Sequence, residues 1–211
     1  MKGVANMAQI PIDFLDRFEA AIAQLPGDSE YIVEALIEKI NSISAALSAR
    51  SDDLHAALRF LVKAGQITEQ ELTATQHRVE QGALQVRELN TWLSAFLQTI
   101  SFESMTRRLG WDEADVREAV GESRLYAVMV ASEERFPLWQ FQVATPHLLL
   151  PGLHALIKAL PPTLSWVTIS SFMSTPQYAL IAESRQTPGM WLCNGGEIDD
   201  VVAILENLGV S

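Results

Sequence analysis

Phe136-Pro-Leu-Trp-Gln-Phe141, then Leu150-Pro-Gly-Leu153, Trp166, Phe172-Met-Ser-Thr-Pro176, Thr187-Pro188 and Gly195-Gly-Glu-Ile-Asp-Asp-Val-Val202 form the stretch whose reading decides the fold. Three of the five tryptophans fall here, Trp139, Trp166 and Trp191, each close to a proline, a pattern of a small domain whose turns are pinned by large rings. Pro151-Gly152 reads as a turn into a helix with Leu153, Leu156, Ile157 and Leu160 facing inward, which Pro161-Pro162 ends. Ser165 is placed to cap a helix burying Trp166, Ile169 and Phe172 or Met173, and Thr175-Pro176 interrupts it. Thr187-Pro188 predicts an N-cap with proline at the first helical position, and Gly195-Gly196 a stop. Glu197, Asp199 and Asp200 then enter a last helix with Val201, Val202, Ile204, Leu205 and Leu208 on its buried face, carboxylates in the first turn complementing the helix dipole.

Upstream, Met105–Gly110 predicts a short helix, Trp111–Val120 a second, and Leu125–Val130 a β-strand that Ser132-Glu-Glu134 turns back into Arg135-Phe136. Still earlier, Ile10–Leu25 has helical periodicity ending at Pro26-Gly-Asp28. A second helix from Ser29 would carry Val33, Leu36, Ile37, Ile40, Ile43, Ser44 and Leu47 on one face. Ser51-Asp-Asp-Leu54 reads as a further helix start, stopped at Gly65. Thr68-Glu-Gln-Glu71 fits a capping box opening a long helix, along which Leu72, Val79, Val86, Leu93 and Ile100 recur every seven residues, with Leu89 and Phe96 on the second seam. Such a heptad is read as packing within the chain, because the earlier helices need a partner for their own apolar stripes, and a homodimer stays open. The fold class expected is mainly α: a helical bundle with a long heptad helix (1–100), a small α+β unit (101–142) and a compact helical C-terminal domain (143–211).

With 211 residues and 48% hydrophobic content the chain can build a core. The nearly uncharged run from Phe136 to Ala182 is broken by six prolines and does not read as a membrane span, and Met1–Ile10 lacks the apolar region of a signal peptide. Cys193 is the sole cysteine, which excludes an intrachain disulfide and fits a reducing compartment. A cytoplasmic protein is the expectation. The net charge is −11, and Met1–Ile100, Ser101–Gln142 and Val143–Ser211 each hold more acidic than basic residues, against broad binding to nucleic acid.

Helix, turn, helix, hairpin over 101–142 resembles the excisionase-like winged helix family, which reads DNA through its second helix and wing. By position that helix carries Asp112, Glu113, Asp115 and Glu118 against Arg117, a poor set for base edges. Arg107, Arg108, Arg117, Arg124 and Arg135 are the candidate DNA contacts of this alternative. The C-terminal third, on the motifs quoted above, resembles the toxin-binding domain of Xre/MbcA/ParS-type antitoxins. The resemblance implies a compact helical domain that binds and inhibits a partner toxin, commonly a RES-domain protein. It departs from that family in what precedes the domain, a long helical segment and a winged-helix-like unit. The partner-binding residues it suggests are Trp166, Phe172, Thr175, Pro176, Thr187, Trp191, Glu197, Asp199 and Asp200, with Trp139 beside them.

Catalytic or metal sites are not expected. His55, His77, His147 and His154 lie apart without ligand spacing, Cys193 has no basic neighbour in sequence, and no Gly-x-Ser-x-Gly elbow occurs. The expectation is a binding protein without cofactor or metal, not an enzyme.

Overall fold

Asp28 opens the longest helix: its Oδ1 accepts the backbone N–H of Glu30 at 2.9 Å and of Tyr31 at 3.3 Å, satisfying donors that a helix start leaves unpaired. In the computed structural model, residues 12–25, 27–63, 68, 70, 73, 77, 82–142, 144–145, 148–182 and 184–209 are described, 12–15, 47–63 and 209 for backbone alone. The protein is mainly α-helical with one small antiparallel sheet. It divides into two compact units, Met1–Leu72 and Thr73–Ser211.

The first unit holds α1 (Ile12–Ile22) and α2 (Ser29–Lys63). Ile32, Ala35, Leu36 and Ile43 are buried along α2, whereas Ile37 and Ile40 of the expected face are 54% and 47% exposed. Ser51 does not begin a helix; α2 runs through it without a break. Of the capping box only Thr68 and Gln70 are described, and most of the heptad before Gly82 lies outside the described residues.

The second unit opens with α3 (Ala83–Leu97), which departs from the expected long helix at both ends. Gly82 sits at φ 81°, a left-handed conformation that only glycine adopts readily, so the helix begins after it. Ile100 belongs to a strand, β1 (Thr99–Ser101), and Val86 is 58% exposed. Phe96 of the expected second seam is buried, and Trp92 and Ala95 share its stripe, with Thr99 following it. Trp92 and Phe96 stack with ring centroids 5.1 Å apart.

Next come α4 (Phe102–Leu109), capped by Ser101, and α5 (Glu113–Gly121), capped by Asp112, whose Oδ1 accepts from Asp115 N–H at 2.8 Å. Strands β2 (Val128–Val130) and β3 (Glu133–Pro137) complete a sheet of order β1-β3-β2, both neighbours antiparallel to β3. The predicted strand from Leu125 is shorter, and of the expected turn Ser132-Glu-Glu134 only Ser132 lies in the reversal, Glu133 and Glu134 being in β3. Val130 pairs with Glu133, leaving a two-residue turn of Ala131 and Ser132, at φ 45° and 65°. Phe136, Met105, Val116, Ala119 and Leu125 are almost completely buried between helices and sheet.

A 3-10 turn (Leu138–Gln140) leads into α6 (Leu153–Ala159), α7 (Trp166–Ser174), α8 (Pro188–Cys193) and α9 (Ile198–Gly209). The caps stand where the prolines and hydroxyls predict. Ser165 accepts from Thr168 N–H at 3.1 Å, and Thr187 accepts from Met190 N–H at 3.2 Å with Pro188 inside the first turn. Leu153, Leu156, Ile169, Phe172, Met173, Leu180, Leu192, Val201 and Leu205 form the C-terminal core. No helix among the described residues is long and apolar enough to cross a membrane.

Candidate functional site

The side chain of Gln140 ties the middle segment to the C-terminal one. It is fully buried, its Oε1 accepts from Tyr126 N–H at 3.0 Å, and its Nε2 donates to the carbonyls of Tyr126 and Pro137, both at 3.0 Å. This fixes the 3-10 turn and sets Trp139 against Tyr126, with ring centroids 5.5 Å apart. Burial pushes the Tyr126 phenol above its ordinary pKa.

Beside that turn lies a cavity of about 690 Å³, walled by α3, the 3-10 turn, α7 and α8. Leu138, Phe141, Leu150, Val167, Met173 and Met190 give it an apolar lining. Its hydroxyls are mostly turned back onto their own helices. Thr91 donates to Arg87 O at 2.9 Å, Ser94 to Asn90 O at 2.8 Å, Ser174 to Ser170 O at 2.8 Å and Thr175 to Ser171 O at 2.7 Å. Ser170 departs from the pattern: it is 5% exposed, and its Oγ has no hydrogen-bond partner among the described residues. Trp139 Nε1 has none either.

The segment between α7 and α8, whose ends Thr175 and Thr187 line the cavity, is a tied loop. Gln177 N–H donates to Gln186 O at 2.9 Å, Gln186 N–H to Leu180 O at 2.8 Å, and Ile181 pairs with Arg185. Asn194 Nδ2 holds the Gln186 side chain at 3.0 Å. Leu180 is completely buried and anchors the loop, while Tyr178 is 75% and Ile181 61% exposed. The Arg185 guanidinium lies 3.6 Å from the Tyr178 ring centroid, a cation–π contact. Met190, 49% exposed, follows on α8.

The sequence-predicted residues separate accordingly. Thr175 and Thr187 both line the cavity; Trp166, Trp191, Glu197, Asp199 and Asp200 do not. Phe172 drops out of the surface set, because at 5% exposure its ring is core. Trp191 is half-buried, donates Nε1–H to Glu197 O at 3.2 Å, and lies so close to Gly196 that any Cβ there would overlap the indole. Pro176, Glu197, Asp199 and Asp200 are exposed. Gln140, Ser170, Tyr178, Ile181 and Met190 carried no site signal in the sequence, being ordinary residues there; the one local cue was the turn at Pro176 beside Tyr178.

The five arginines of the middle segment are each engaged. Arg107 pairs with Glu103 at 2.6 Å, and Arg117 with Glu113 at 2.7 Å and Glu134 at 3.6 Å. Arg124 pairs with Glu122 at 2.7 Å and Glu118 at 3.2 Å. Arg108 lies over Phe141, and Arg135 lies over Phe96 while donating to Thr99 Oγ1 at 3.1 Å. His154 Nδ1 stands 3.3 Å from the carbonyl of Ser123. Among the described residues, no three of His, Cys, Asp and Glu gather as a metal site would require.

No family model matches the chain, and comparison with curated proteins and with solved structures gives no match.

Proposed function

We propose that the protein is antitoxin-like or regulatory and binds a partner protein, with a RES-type toxin as the candidate class, through its C-terminal segment. The observation that carries this reading is the tied loop that holds Tyr178 and Ile181 out from a core anchored by Leu180, with Met190 on the adjoining helix. Exposed aromatic and aliphatic side chains on a pre-formed element lose little conformational freedom on docking, which is how a small surface contributes most of an interface. The motif resemblance of the C-terminal third supplies the toxin class.

The alternative is DNA binding by the middle segment. It is the weaker reading on electrostatics, since carboxylates face Arg107, Arg117 and Arg124, and phosphate contact would have to break those pairs.

The test is co-expression with the product of the adjacent gene. Capture of that product, relief of its toxicity, and loss of both in Tyr178→Asp and Ile181→Asp with an unchanged melting temperature are expected. An adjacent product that is neither toxic nor bound defeats the proposal. A salt-sensitive gel shift of the protein's own promoter, weakened by Arg107→Ala, Arg108→Ala or Arg117→Ala, would favour the alternative.

A further inference from the structure

We infer that α2 pairs antiparallel with α2 of a second copy of the chain, along the stripe that begins at Val33, Ile37 and Ile40. The inference concerns the first unit and does not rest on the partner-binding reading, which concerns the second.

The stripe has the spacing of a coiled-coil seam. Val33, Ile37, Ile40 and Ser44 follow one another at alternating intervals of four and three residues, and Leu47, Leu54, Leu58 and Leu61 continue the same register, with Ser51 between them. Because α2 runs unbroken from Ser29 to Lys63, these positions fall along one side of one helix.

That side is not the one α2 buries within the chain. Among its described residues Ile32, Ala35, Leu36 and Ile43 are buried, whereas Ile37 and Ile40 stay 54% and 47% exposed and Ser44 is exposed beside them. Length accounts for part of this: α1, 11 residues and about 16 Å long, cannot cover a helix of 35 residues and about 50 Å. The serine does not spoil the seam. Its Oγ donates to Ile40 O at 2.9 Å, so the hydroxyl can be covered without leaving its donor unpaired.

Charge selects the occupant and its direction. The first turns of α2 carry Glu30, Glu34 and Glu38 and no basic residue, while the last turns carry Arg59 and Lys63 and no acidic one. A face with opposite charges at its two ends complements its own reversed copy, as a two-fold symmetric interface requires. Antiparallel packing sets each acidic end beside a basic end, and parallel packing sets like beside like. Volume agrees. Reversed about its middle, the seam pairs Val33 with Leu58 of the second copy, Ile37 with Leu54, Ile40 with Ser51 and Ser44 with Leu47, so each serine meets a large side chain. A parallel pair would set serine on serine in two layers and leave voids there.

The experiment uses the full chain. At about 50 µM, sedimentation equilibrium should return twice the chain mass, falling on dilution. Ile37→Glu with Ile40→Glu would place carboxylates in the seam and should weaken association at least about 100-fold, with the tryptophan emission of the second unit unchanged. Ser44→Leu should tighten association roughly tenfold, a gain that loss of folding does not produce. Direction is read separately, by electron–electron resonance between nitroxides at Ser29→Cys in a Cys193→Ser background: roughly 50 Å is expected for the antiparallel pair and under about 25 Å for a parallel one. A chain that stays monomeric means that the stripe is covered within the chain or not at all, and overturns the inference. So does a dimer that neither the glutamates nor Ser44→Leu alters, or the short distance between labels.

Discussion

Gln140 is the buried polar side chain that joins the middle and C-terminal segments of the second unit. Gln140 satisfies a donor and two acceptors of backbone that lies between the sheet and the C-terminal helices, with its own amide sealed from water. Gln140→Ala should therefore destabilise by roughly 2–4 kcal/mol, the range for stranding several buried polar groups, as read by urea unfolding. A loss under half of the lower figure would mean that solvent reaches these groups. The neighbouring Tyr126 makes a prediction in pH. Burial favours its neutral phenol, so the unfolded chain releases this proton first. Its contribution is unchanged below the ordinary phenol value near 10 and turns against folding as pH climbs above it. Tyr126→Phe should flatten the alkaline fall of the melting temperature; an unchanged slope would assign that fall to other groups.

Among the elements, the β2–β3 hairpin is built against its own sequence. A two-residue turn with φ positive at both positions suits Asn-Gly, yet Ala131 and Ser132 occupy it. Replacing Ala131-Ser132 by Asn-Gly should stabilise by about 1–2 kcal/mol, measured as a raised urea midpoint with unchanged slope, and no gain would mean that the turn relaxes otherwise. The same hairpin shows why part of the fold escaped sequence reading. Short helices of the C-terminal segment were legible because Ser165, Thr187, Pro188 and the paired glycines act locally. Ser132 was legible as part of the turn, but Ala131 carries no turn signal, so the reversal was extended over Glu133 and Glu134, which belong to β3. In α3 the seven-residue repeat pointed to Val86, which is exposed, and to Phe96, which is buried as expected, while Trp92, off both seams, is buried beside it because contacts with β1 and α7, not the repeat, set the buried face. The cavity was illegible for a related reason: its walls come from several separate segments, and of its lining only Trp139, Thr175 and Thr187 stood out as binding candidates beforehand.

At the scale of the molecule, the middle and C-terminal segments share too much to part cleanly. Leu150 N–H donates to Gln140 O at 2.9 Å, Gln142 N–H to Leu148 O at 2.9 Å, and Leu149 packs against the cores on both sides. Tyr126 and Trp139, from the middle segment, pack on the C-terminal core. A fragment spanning 73–211 should melt cooperatively by circular dichroism, whereas one beginning at 143 should not; a sharp transition in the shorter fragment would show that these ties are dispensable. The division at Leu72 and Thr73 has a spectroscopic side as well. All five tryptophans, Trp92, Trp111, Trp139, Trp166 and Trp191, follow it, and none precedes it. Intrinsic indole emission thus reports on the second unit alone, while far-ultraviolet dichroism sees helices of both, so the gap between the two melting curves measures how independently the first unit unfolds.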